Sequence, residues 1–194
     1  HRQKVNEEEA YGWYRLLCYY YNSDNVTMFR NTIPMALSNL LMLGKTDYYY
    51  DSWSLIAEQN LYEGNIMMAF KKTKMLIDDA KSRKSHYGLA IGHVLMGEIY
   101  VSMMMDMEAL DHYEQAVVYA NTLPQHDRLL LLIYTNYSDA LCETHYTEKL
   151  LEIANHWQEI IIRFEKKQQQ EGLISAYVND QKDYCELAFA HVKT

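Results

Sequence analysis

Apolar side chains recur at helical spacing along almost the whole chain. Between about Asn6 and Asn22, Trp13, Leu16, Leu17 and Tyr20 share one face, and Glu7, Glu8 and Glu9 stand where a helix N-terminus favours negative charge. The same pattern predicts helices over about Val26–Leu43, Asp47–Tyr62 and Ile66–Arg83, punctuated by Ser23–Asp24–Asn25, Gly44 and Glu63–Gly64–Asn65. Pro34 inside the second predicts a kink, or a helix that starts only at Asn31 or Thr32. His86–Leu123 reads as two helices folded back on each other, with Ser85 as a cap. Pro124–Gln125–His126 breaks the chain, and helices over about Asp127–Glu143 and Thr147–Gln169 follow. The polar run Glu165–Glu171 is expected to be a helix end or exposed turn. A last pair is expected over about Glu171–Val178 and Asp183–Val192, joined by a turn at Asn179–Lys182. The fold class is all-α, with about nine or ten helices.

These helices repeat. In the central stretch, His93, Met96, Gly97 and Tyr100 mark the first helix, and Ala109, Tyr113 and Ala116 the second. Large residues alternate with small ones, which lets a neighbouring helix come close at Gly97 while Tyr113 fills the remaining space. Laid over this unit, Trp13, Trp53, His93, Tyr134 and Glu171 fall in register, with steps of 40, 40, 41 and 37 residues. The small position of the first helix reads Leu17, Ala57, Gly97, Ser138 and Ser175. The first small position of the second reads Phe29, Ala69, Ala109, Leu150 and Leu187. The turn residues Asp24–Asn25, Gly64–Asn65 and Lys182–Asp183 coincide as well.

This alternation resembles the tetratricopeptide repeat, although His93 stands for the usual tryptophan, Met96 for the usual leucine, and a step near 40 exceeds the standard 34. The resemblance implies a right-handed α-α superhelix of helix hairpins, with residues 1–194 as a single TPR-like domain. It also implies a concave groove lined by first helices, holding a protein or peptide ligand. By resemblance, the groove-facing positions are Tyr14 and Cys18, Ser54 and Glu58, Val94 and Glu98, Thr135 and Asp139, followed by Tyr21, Leu61, Val101 and Cys142. That floor mixes acidic with apolar residues and carries no basic clamp for a terminal carboxylate. A cationic or amphipathic ligand suits Glu58, Glu98 and Asp139.

Composition narrows the function. Forty-nine per cent hydrophobic residues exclude a disordered chain, and a net charge of -8 argues against non-specific nucleic-acid or anionic-membrane binding. Lys71–Lys84 is a local exception, six basic residues against two acidic, read as a solvated helix face. Cys18, Cys142 and Cys185 are odd in number, without metal or redox spacing, and read as buried thiols. No segment approaches the roughly 18 uncharged apolar residues of a membrane span, so membrane association is expected only through flanking segments. The 18 tyrosines include the runs Tyr19–Tyr21 and Tyr48–Tyr50, whose rings point around a helix and cannot all be buried.

Catalytic chemistry is not expected. HExxH, CxxC, GxSxG and a phosphate-cradling glycine loop are all absent, and Tyr87–Gly92 has two glycines but no preceding strand. His93 reads as a packed core histidine. Asp78–Asp79 lies on an amphipathic helix without an implied pocket, and Asp106 and Glu108 favour a helix start. The methionines of Met103–Met107 read as packing between repeats. No catalytic residue, metal or cofactor is therefore assigned.

The Tyr-rich first helix, the YYYNSDN turn, the YYYDSW helix and DDAKSRKSHYGLAIGHVLMGEIY resemble helical-repeat regions upstream of bacterial sensor histidine kinases. What that implies is a non-enzymatic sensing region of a two-component system, periplasmic and joined to an inner-membrane protein. The opening without an initiator Met is read as a fragment of a longer protein. The alternatives are a cytoplasmic helix-turn-helix transcription regulator carrying this domain, or a stand-alone scaffold or adaptor. No nucleic-acid binding is expected of the fragment itself, and a homodimer is an allowed assembly.

Overall fold

The computed structural model describes residues 6–124, 126–172 and 176–193. Among them are nine α-helices: α1 (Glu7–Asn22), α2 (Val26–Met42), α3 (Thr46–Tyr62), α4 (Ile66–Arg83), α5 (His86–Ser102), α6 (Asp106–Ala120), α7 (Asp127–Thr144), α8 (Thr147–Gln170) and α9 (Ala176–Val192). Three of them, α1, α2 and α5, start on a side-chain cap. Asn6 Oδ1 accepts from the Glu9 amide at 2.8 Å, Asn25 Oδ1 from Met28 at 3.2 Å and Ser85 Oγ from Gly88 at 3.1 Å. The chain forms two compact units, His1–Leu95 and Met96–Thr194, whose boundary falls inside α5. In the first unit α1–α2 and α3–α4 pack as hairpins and α1 also touches α3. In the second, α6, α7, α8 and α9 pack in sequence, and α7 also touches α9.

The backbone carries the repeat. First-helix starts at 7, 46, 86 and 127 are spaced by 39, 40 and 41 residues. Asp24, Gly64, Met104 and His145 all adopt the left-handed conformation at the turn within each pair, with φ between 53 and 76°. Leu17, Ala57, Gly97 and Ser138 are buried, as are Phe29, Ala69, Ala109 and Leu150. Four units therefore share one packing register.

Two expectations fail, for identifiable reasons. The late start expected at Asn31 or Thr32 is absent: α2 begins at Val26 and runs on through Pro34. Asn25 caps it at Val26, and Pro34 and Arg30, whose carbonyl loses its partner N–H, both lie at exposed positions that water can serve. The expected turn at Asn179–Lys182 lies inside α9, in its first half, so the last element is one helix rather than a pair. α8 runs on to Gln170 through the polar run, and the step from α7 to α9 becomes 49 residues, from 127 to 176. Glu171 and Gly172 end α8 rather than begin a helix, Leu187 is 65% exposed, and Ser175 lies outside the described residues.

The polar tetrad Asn179–Lys182 misleads because Gln181 is a core residue. Its Oε1 accepts from the indole of the fully buried Trp157 at 2.9 Å, and its Nε2 donates to Thr135 Oγ1 at 3.1 Å, tying α9 to α8 and α7. Gln181→Leu would leave the indole N–H buried without an acceptor and is expected to cost about 1–3 kcal/mol in chemical denaturation.

Gly97 tests the register. A Cβ there would lie 2.6 Å from the Tyr113 ring, whereas one on Gly12 meets nothing within 4 Å. Gly97→Ala is expected to lose about 1–3 kcal/mol by overpacking. Gly12→Ala is expected to gain about 0.5–1 kcal/mol from helix propensity. Thermal melts followed by circular dichroism separate the two.

Candidate functional site

The expected groove positions divide between the two units, and each set is described in its own unit. In the first, α1 and α3 set Tyr21 against Glu58, with the phenol donating to Oε2 at 3.1 Å. Burial lifts the Glu58 carboxyl above the ordinary carboxylate range, and hydrogen bonds from Ser54 and Tyr21 oppose that shift without cancelling it. Two turns earlier on α3, Tyr87 donates to Asp51 Oδ1 at 2.6 Å. Tyr14 stacks edge-on against Tyr48, ring centroids 5.0 Å apart. Burial raises the Cys18 thiol, and Asp51 and Glu58 raise it further, so it is a poor nucleophile. Leu61 is half-buried. Ser54 and Val94 are 8% and 3% exposed, so their side chains belong to the interior. This face is a knitted lattice of phenols and carboxylates.

In the second unit the positions converge on an open cleft of ≈ 830 Å³. The end of α5 contributes Glu98 and Val101, the following turn Met104, and α6 contributes Asp106 and Tyr113. α7 supplies Asn136, Asp139, Ala140, Cys142 and Glu143. The spacing explains the convergence: 98 and 101, like 139 and 142 or 143, lie one turn apart on a single helix face. Four of the sequence-derived positions, Glu98, Val101, Asp139 and Cys142, meet here. Thr135 does not, because it accepts from Gln181 beneath α9.

Electrostatically the cleft is one-sided. Four of its lining residues are acidic and none is basic. Partial burial raises the Asp139 carboxyl and Glu143 adds to it; burial raises the Cys142 thiol, and Asp139 and Glu143 add to that. Burial raises the Tyr113 phenol above its ordinary range, with Glu98 and Asp139 contributing. Burial is the larger cause for each group and the neighbouring acids are the smaller one, so a positive charge placed here would favour the ionised forms. Tyr113 and Ala140 form a buried floor, while Val101 and the 90% exposed Met104 stand at the lip. Asp106 and Met104, read in sequence as a helix start and as packing, are cleft residues. Nothing in the sequence marked them; Met104 takes the left-handed conformation, φ 58°, at the turn between α5 and α6.

Other chemistry-bearing groups are occupied structurally. Asp79 accepts from Tyr50 at 2.9 Å and pairs with Arg83 at 2.9 Å. His112 stacks on Tyr100, and burial lowers its pKa. Burial pushes the Cys185 thiol up to about 11. Among the described residues no group of three His, Cys, Asp or Glu side chains is placed to hold a metal, and no helix is long and apolar enough to cross a membrane.

Because the native Glu58 holds its proton more tightly than the unfolded chain does, its contribution to stability falls as pH rises from the unfolded pKa through the raised folded one. Glu58→Gln keeps an acceptor for Tyr21 and removes that loss. The variant is expected to melt higher than the parent at pH 8, with the difference shrinking at pH 4, in paired thermal scans. A difference that is independent of pH would contradict the assignment.

Comparison with protein-family models, curated proteins and solved structures finds no match to this chain.

Proposed function

We propose that this chain is a non-enzymatic protein- or peptide-binding module, built as a TPR-like superhelix, whose acidic cleft takes a cationic amphipathic segment. The observation that carries the reading is the cleft: an apolar floor at Tyr113 and Ala140 under a rim of Glu98, Asp106, Asp139 and Glu143. Such a lining complements a helix or strand bearing Lys or Arg beside apolar side chains, the groove mode of recognition. The TPR-like reading draws support from the 39- to 41-residue spacing of first helices and the shared buried small positions. Rim carboxylates are worth more to partner choice and encounter rate than to raw affinity, which suits a sensing role.

By the resemblance of its tyrosine-rich helices, we place the module in the sensor region of a bacterial two-component histidine kinase, outside the inner membrane. The reading of the adjoining coding sequence decides this part. A membrane helix and kinase core downstream support it, and a helix-turn-helix there would instead make the chain a cytoplasmic regulator's ligand-binding arm.

Binding itself is tested with a labelled Lys/Leu amphipathic helical peptide and its Glu/Leu counterpart, followed by fluorescence anisotropy. The basic peptide is expected to bind and the acidic one not. Glu98→Lys combined with Asp139→Lys is expected to weaken the basic peptide at least about tenfold, a change of about 1.4 kcal/mol. Equal binding of both peptides, or indifference to the charge reversals, would sink the reading.

A further inference from the structure

The basic stretch that stands out in this acidic sequence has a definite place in the fold. It lies on α4, and its outward face is neither purely charged nor paired. Met67, Lys71, Lys74, Asp78 and Lys81 follow one another at steps of four and three, all exposed, with Met68 and Met75 in the adjoining row. Met67 is 76% exposed. Residues at those steps are neighbours on a helix surface, so the strip is continuous and about 20 Å long. Lys71, Lys74 and Lys81 make no ion pair among the described residues, whereas Arg30, Lys45, Arg83, Lys149, Arg163 and Lys182 each hold a carboxylate. Asp79, on the other side of α4, is taken by Tyr50 and Arg83, so the strip keeps its positive excess.

Lysines beside adaptable methionines on a helix surface are the chemistry that the second unit's cleft accepts. We infer that the α4 strip of one copy of this chain docks into the acidic cleft of a second copy, making the module self-associating. The inference rests on the reading of the cleft as a site for a cationic amphipathic segment, and it names the occupant. Lys71 and Lys74 meet the rim carboxylates Asp139 and Glu143, and the flexible methionine side chains meet the apolar lip at Val101 and Met104. An anionic membrane is the weaker occupant for α4, because the remainder of a chain of net charge -8 is repelled by it.

The contact joins different surfaces on the two copies, so it closes as a reciprocal pair or propagates. A strip of this length covers far less than the roughly 800 Å² each partner gives a stable complex. Association is therefore a high-concentration event, read in the tens to hundreds of micromolar.

Sedimentation velocity on the intact chain tests this. The weight-average mass is expected to rise above the 23.0 kDa monomer with concentration, and to fall back when salt is raised from about 0.05 to 0.5 M. Lys71→Glu with Lys74→Glu sets acids on the strip against the acids of the cleft; Asp139→Lys with Glu143→Lys sets lysines on the cleft rim against the lysines of the strip. All four residues are exposed, so the fold is retained, which helicity and melting temperature check. Each variant alone is expected to lose at least about tenfold in association, and an equimolar mixture to regain it, because residues 71 and 74 of each strip then meet residues 139 and 143 of opposite sign. A parent that stays monomeric throughout, or a mixture that associates no better than its components, overturns the inference. If the parent stays monomeric while the basic peptide still binds the cleft, only the occupant is wrong; if neither associates, the cleft reading falls too.

Discussion

A Cβ on Gly97 would sit 2.6 Å from the Tyr113 ring, and one on Gly88 would sit 2.7 Å from the Tyr50 ring. Each contact, in its own unit, sets how closely one helix approaches the next, and the rest of the packing follows from that spacing. With helices this close, the interior has room for a few large side chains and many small ones. Ala10, Ala36, Ala69, Ala80, Ala90, Ala109, Ala116, Ala120 and Ala154 are all fully buried, and the volume between them is filled by Tyr50, Tyr113, Tyr137 and Trp157. The tyrosines suit this use because the ring fills the core while the hydroxyl reaches a carboxylate near the surface. Tyr50 reaches Asp79, Tyr87 reaches Asp51, and Tyr137 reaches Glu114.

That device shapes the charge pattern. A carboxylate that accepts from a buried phenol is committed to the structure, and it raises the phenol's pKa in return, as Asp79 does for Tyr50 and Glu114 for Tyr137, in each case after the larger effect of burial. In the first unit most groove-side acids are committed in this way. In the cleft they gather around an apolar floor instead, so the same acidic composition produces a hydrogen-bonded lattice in one unit and an open acidic cleft in the other. The difference lies in which helix face tyrosine occupies.

Much of this was legible in the sequence, for a physical reason. The spacing of large and small residues reflects helix contacts directly, so α1 to α4, α7 and α8, with ends within a residue or two, and the buried positions from Leu17 to Ser138 could be read from it. The convergence of Glu98, Val101, Asp139 and Cys142 followed from the same register. Residues whose polarity conceals their role were not legible. Gln181 looks like part of a turn until Trp157 is seen to need an acceptor, and Pro34 suggests a late helix start until Asn25 is seen to cap α2 at Val26. Ser54 and Val94 lie on the expected face but are buried, because position on a helix says which way a side chain points and not how deeply its neighbours cover it.

The acids of the cleft are held together at a cost. Asp139 and Glu143 share one helix face at i, i+4, a like-charge pair that destabilises a helix by a few tenths of a kcal/mol, and Glu98 adds to the field at the floor. A packed register does not require this arrangement, since the equivalent positions in the first unit carry neutral or phenol-bonded groups. A cation seated between these carboxylates would reverse the sign of their interaction, favouring the ionised form of Asp139 where the empty cleft disfavours it. Occupancy and ionisation are then linked: the affinity for a cationic segment must rise as pH climbs through the raised pKa of Asp139, and seating the segment must release a proton below it. A purely structural acidic face, screened by water and salt, would carry no such coupling.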